Sequence, residues 1–201
     1  MYAWALMPSH FHLLVCTGTR PLSQSMKQLL TGYVVNFNRR HKRYGHLFQN
    51  RYKSIICEED PYLLELTRYI HLNPLRGGLV QGLRDLRRYR WTGHAALLGV
   101  VDRAWQETAT VLADFGPKRK RAVQRYEAFV REGIAQGRRP DLVGGGLIRS
   151  LGAGGRSWRC GGRGARGPRM RASWAVGTSW RGSWRRRQAD RRRPCGSRAR
   201  S

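Results

Sequence analysis

Residues 2–15 (YAWALMPSHFHLLV) are almost continuously apolar, broken at Pro8 and Ser9 and interrupted by His10 and His12. This pattern predicts two short strands joined by a turn. Strand side chains alternate between faces, so His10, His12 and Leu14 share one side while Phe11, Leu13 and Val15 fill the other. Leu22, Met26, Leu29, Leu30, Tyr33 and Phe37 then recur at helical spacing, which predicts an amphipathic helix over 22–40. Residues 53–58 (KSIICE) read as a further strand. Asp60 as N-cap and Pro61 at the first position open a second helix, 62–72. Pro74 stops it and biases Asn73 away from helical geometry. Tyr62, Leu66, Tyr69 and Asn73 fall along one stripe of that helix. Residues 75–91 read as loop, and two helices follow over 104–115 and 118–136, joined at Gly116 and Pro117.

These elements give an α+β chain in three parts. Residues 1–95 carry the strands and the first helices, 96–151 form a helical extension, and 152–201 form a tail without helical or strand period. The tail holds 15 arginines, no lysine and a single acid, Asp190, so about half of the net charge of +27 sits there. Its composition predicts disorder. It reads either as an arginine-rich nucleic-acid tail or as an out-of-frame C-terminus, and the absence of lysine favours the second. The first 151 residues stay strongly basic without it, which points to a polyanionic partner.

The four cysteines show no CxxC spacing and are too few for a disulfide scaffold, so a reducing, cytoplasmic setting is the simpler expectation. No basic segment followed by a long apolar one opens the chain, and no window approaches a membrane span.

The candidate chemistry lies in three places. His10 and His12 on one strand face suit a divalent metal, imidazole being a common ligand, although such a pair also occurs in ordinary packing. Arg39, Arg40, Lys42 and Arg43 end the first helix, and His46, Gln49, Arg51 and Lys53 follow beside aromatic side chains. Cations next to stacking surfaces suit single-stranded DNA, whereas the ordinary reading is a solvated helix end. Tyr69 and Asn73 stand one turn apart. Tyr62 shares their stripe, and Tyr52 and Tyr33 are weaker rivals to Tyr69. His71 packs in the core or touches DNA.

The runs YAWALMPSHFHLLV, GHLFQNRYKS and RYIHLNPLRGGLV, in this order and spacing, resemble the single-tyrosine HUH transposases over residues 2–95. Weaker similarity continues through 141–151 and ends there. The resemblance implies a ferredoxin-like antiparallel sheet with helices packed on it. It also implies nicking and rejoining of single-stranded or hairpin DNA through a 5′-phosphotyrosine. His10, His12 and Asn73 would hold Mg²⁺ or Mn²⁺, and Tyr69 would be the nucleophile. The oligomeric state, monomer or dimer, stays open. The similarity begins at the family's second strand, so its first helix and its interior first strand are expected to be missing, through a misread start or decay of the copy. Such a loss would leave two strands facing an empty slot. Ser9 stands where the family usually has Asn, and Asn50 where it has Gly. The alternative reading is a non-catalytic nucleic-acid-binding remnant of a mobile element.

Overall fold

The computed structural model describes residues 1–57, 60–137 and 172–177. Strands β1 (Ala3–Leu6) and β2 (Phe11–Cys16) form the expected antiparallel hairpin, with Ala3 opposite Leu14 and Leu6 opposite Phe11. Helix α1 runs over Leu22–His41 and β3 over Lys53–Cys57. Both match their predicted spans.

Two sequence expectations fail here. Pro74 does not end the second helix: α2 spans Asp60–Arg76 with Pro74 inside it. A helix-interior proline removes one donor and crowds the carbonyl one turn earlier, which kinks a helix without always ending it. The helix closes instead three residues later. Gly78 takes a left-handed φ of 69°, its N–H donates to the Leu75 carbonyl, and the Leu79 N–H donates to the Pro74 carbonyl. These two bonds make a Schellman motif, with glycine where a side chain would be strained.

The second failure concerns the tail. Ala172–Gly177 forms a strand, β4, in the interior of a four-stranded sheet of order β1-β2-β4-β3. It runs antiparallel to both neighbours, pairing Phe11 with Gly177 on one side and Lys53 with Val176 on the other. The slot expected to be empty is thus filled from the tail. The remaining tail residues, and the weaker similarity over 141–151, lie outside the described residues.

Helices cover both faces of the sheet. Met26 of α1 packs with Trp4, Phe11 and Leu13, flanked by Leu22, Leu30, Phe48 and Tyr52. Leu29 and Tyr33 of the predicted α1 stripe stay open, each about half exposed. On the opposite face Leu63, Leu66 and Ile70 of α2 pack against Ala3, Ala5 and Leu14. Each fully buried aliphatic side chain stabilises the fold by about 1.5–3 kcal/mol.

Helices α3 (Leu83–Arg88) and α4 (His94–Leu97) occupy stretches too short for periodicity to reveal. Helices α5 (Ala109–Ala113) and α6 (Arg119–Glu132) represent the expected extension, and they share the α2 core through Val111, Leu112, Ala122, Tyr126 and Val130. The basic start of α6, Lys118 to Arg121, faces water. Cys16, at the end of β2, is disulfide-bonded, contrary to the reduced state expected from cysteine spacing.

The α6 side of the core contains a polar network. The Tyr126 hydroxyl lies 2.7 Å from His71 Nδ1 and 2.8 Å from His94 Nδ1, with all three side chains buried. This settles His71 as a packing residue. Burial, with Arg87 nearby, lowers the His94 pKa to about 4, and burial with His94 holds His71 well below its usual range. The unfolded chain therefore takes up protons first, near pH ~6.5, while the folded chain does not. Stability is full above that pH and falls as the pH drops toward the folded value. His94 alone should cost about 2 kcal/mol at pH ~5 relative to neutral pH. Urea unfolding midpoints at the two pH values check this, and an unchanged midpoint would refute it.

Candidate active site

The β1–β2 turn is closed by the Met7 N–H donating to the His10 carbonyl. His10 stands immediately before β2, not within it, and His12 is its second residue. Their rings nevertheless meet edge to face, with centroids 4.9 Å apart. The Tyr69 ring on α2 meets the His12 ring in the same way at 6.0 Å. Three residues separated by nearly sixty positions thus converge on one side of the sheet.

The electrostatics suit metal ligation. Burial, and then the neighbouring His10, push the His12 pKa down to about 3. Burial also lowers His10. Both imidazoles are therefore neutral near pH ~7, the form that coordinates a metal. Ser9 Oγ lies 3.0 Å from His10 Nδ1. A proton shared there leaves the other ring nitrogen of His10 available.

Asn73 occupies the turn after Tyr69 on the same face of α2, as expected, although within the helix instead of at its stop. Its side chain is buried, and its amide nitrogen has no hydrogen-bond partner among the described residues. The end of α2 lies close to the β1–β2 turn: a Cβ on Gly77 would meet Met7 Cε at 2.6 Å. Among the described residues no cluster of three or more His, Cys, Asp or Glu could hold a metal. Any ion here would rest on two imidazoles, the Asn73 amide and groups from substrate or solvent. Two neutral imidazoles fit such an ion; the unpartnered Asn73 atom is its amide nitrogen, a donor, so Asn73 would reach a metal only through its amide oxygen.

The rival tyrosines separate by position. Tyr52 packs into the α1-side cluster, and Tyr33 stacks with Phe37 on α1, so both lie across the sheet from His12. Tyr62 packs against the same core as Tyr69. Of the two, the ring contact with His12 belongs to Tyr69.

Arg76 was not visible as a site residue. Its guanidinium lies 5.3 Å from the Tyr69 ring centroid, and its Nη2 donates to the Gly133 carbonyl at 3.1 Å. The signal was its place seven residues after Tyr69, on the same helical stripe, hidden by reading Pro74 as a stop.

The basic residues group elsewhere. Arg39, Arg40, Lys42, His46, Gln49, Arg51 and Lys53 are exposed and Arg43 is half-buried, on the path from the end of α1 to β3. Lys42 caps α1 with a left-handed φ of 50°, and Tyr44 beside it is 97% exposed.

Residues 1–73, just over a third of the chain, match the family model described as "Transposase IS200 like". Over these residues the chain is similar to the IS200-like transposases. The transposase match contains His10, His12, Tyr69 and Asn73 together. No curated protein and no solved structure gives a significant match. No described helix of this segment, or of the rest of the chain, is long and apolar enough to cross a membrane.

Proposed function

We propose that this chain nicks and rejoins single-stranded or hairpin DNA in the cytoplasm, with Tyr69 as nucleophile. The observation that carries the reading is the convergence of His10, His12 and Tyr69. A transposase family match over the same residues supports it. We also read the order β1-β2-β4-β3 as a ferredoxin-like sheet whose interior position is taken by β4.

In this reading Tyr69 Oη attacks the scissile phosphorus in line. The new bond is Tyr69 O–P, the broken bond is P–O3′, and the departing 3′ oxygen gains a proton while the phenol loses its own. The product is a 5′-phosphotyrosine and a free 3′-OH, and the covalent bond conserves energy for rejoining. A bound Mg²⁺ or Mn²⁺ would polarise the phosphate. His10, His12 and Asn73 would hold it, and two imidazoles suit Mn²⁺ better than Mg²⁺. Arg76 holds its charge over the Tyr69 ring from a fixed tether on α6. The exposed basic run from Arg39 to Lys53 would bind the DNA backbone.

The test is a gel-shift assay for a denaturation-resistant protein–oligonucleotide adduct. Adduct formation should require Mn²⁺ or Mg²⁺, stop on adding EDTA, and fall by roughly 100-fold or more in His12→Ala. An undiminished adduct in EDTA would refute the metal role. One observation favours the non-catalytic alternative, namely the lack of a third His, Cys, Asp or Glu ligand among the described residues. In that case DNA binding would persist with no adduct under any metal.

A further inference from the structure

The outer edge of β1 is covered by the loop that follows α3. Leu6 N–H donates to the Trp91 carbonyl at 2.8 Å, and Gly93 N–H donates to the Trp4 carbonyl at 2.9 Å. Thr92 Oγ1 donates to the same Trp4 carbonyl, and Ala5 bridges Thr92. This pairing blunts the sheet edge. It also fixes a cluster of indoles and guanidinium groups on the surface.

Trp91 is 46% exposed and Trp105 is 52% exposed. The Arg90 guanidinium lies 4.7 Å from the Trp91 ring centroid. Arg103 lies 5.0 Å from the Trp4 ring and 5.7 Å from the Trp105 ring, and its Nη2 donates to the Arg90 carbonyl at 3.1 Å. One arginine thus ties the two exposed indoles into a single surface.

The surface is held rigidly from behind. Trp4 is buried, and its ring lies 5.3 Å from that of Trp105. Trp4 Nε1 donates to Gln106 Oε1 at 2.9 Å, and Gln106 Nε2 donates to the Gly93 carbonyl at 3.0 Å. A rigid aromatic face loses little entropy on binding.

We infer that Trp91 and Trp105, with Arg90 and Arg103, form a second contact for single-stranded DNA, in which bases stack on the indoles and phosphates meet the arginines. Every base offers a π face, so stacking is sequence-tolerant, and arginine adds cation–π and phosphate contacts. The charge favours this occupant over a protein surface, because the chain carries +27 and guanidinium groups lie in the patch itself. The site is separate from the basic run ahead of β3. The platform lies one strand spacing beyond β1, and β3 is the opposite edge of the sheet, about 19 Å away. The inference does not depend on Tyr69 chemistry.

The experiment titrates the full chain with a fluorescein-labelled oligo(dT) and with a duplex of the same length, at salt high enough to weaken purely ionic contacts. Trp91→Ala and Trp105→Ala should each weaken oligo(dT) binding by about tenfold, with a much smaller effect on duplex. Trp91→Phe and Trp105→Phe should stay within about threefold of the parent, since a ring remains. Arg90→Ala, at an exposed position that the core does not use, should weaken binding by about threefold to tenfold whatever the tryptophan variants do to folding. Titrating in EDTA, where no adduct forms, separates this inference from the nicking reaction. Wild-type affinity in Arg90→Ala and in a folded Trp91→Ala/Trp105→Ala double variant would overturn it. So would loss of self-association with DNA binding intact, which would assign the surface to a second copy.

Discussion

A chain ending at residue 137 should fail to give a stable, cooperatively folding protein. It would lack β4, leaving β2 and β3 with unpaired backbone groups along facing edges. The sheet carries His12 on β2, and nothing else among the described residues fills the slot. Domain stability is only about 5–15 kcal/mol, and an interior strand contributes to the ladders on both its sides. Open edges of this kind also recruit other chains, so aggregation should accompany the loss. A milder variant makes the same point within the full chain. Ala175 pairs with Leu13 on one side and Ser54 on the other, so Ala175→Pro removes a ladder donor from an interior strand and leaves its acceptor unpaired, at about 1–3 kcal/mol. Hydrogen exchange reads the effect directly: amides of β2 and β3 should lose their protection in both variants. Unchanged protection would show that β4 does not sustain the sheet.

The second large effect concerns Tyr69. Tyr69→Phe should abolish covalent adduct formation, by on the order of 10³-fold or more, because the attacking oxygen is gone. The ring, its contact with His12 and its place under Arg76 all remain. Thermal stability should therefore change by no more than about 0.5 kcal/mol. Tyr62→Phe is the paired control and should retain the adduct. The opposite outcome would move the nucleophile two stripe positions toward the helix start.

Much of this arrangement was legible in the sequence, and the gaps have physical causes. The hairpin followed from two apolar runs split at Pro8 and Ser9, and the two-residue period of a strand put His12 and Leu14 on the α2 side and Phe11 and Leu13 on the α1 side. Tyr69 and Asn73 shared a face because helical spacing requires it. Arg76 was hidden by Pro74, since a proline is a probable helix stop and only the local cap chemistry of Gly78 shows where the helix ends. The helices α3 and α4 were missed because six and four residues do not establish a period. Strand β4 was hidden for a deeper reason. Its strand character resides in the unpaired edges of β2 and β3, and strand propensity depends on context more than on the local residues.

The most direct test of the account is to map the linkage itself. Incubating the chain with Mn²⁺ and a cleavable single-stranded substrate, then digesting and sequencing the adduct by mass spectrometry, should find the nucleotide on Tyr69. A nucleotide on Tyr62, or an adduct of equal yield in Tyr69→Phe, would contradict the convergence of His10, His12 and Tyr69 as a nicking site.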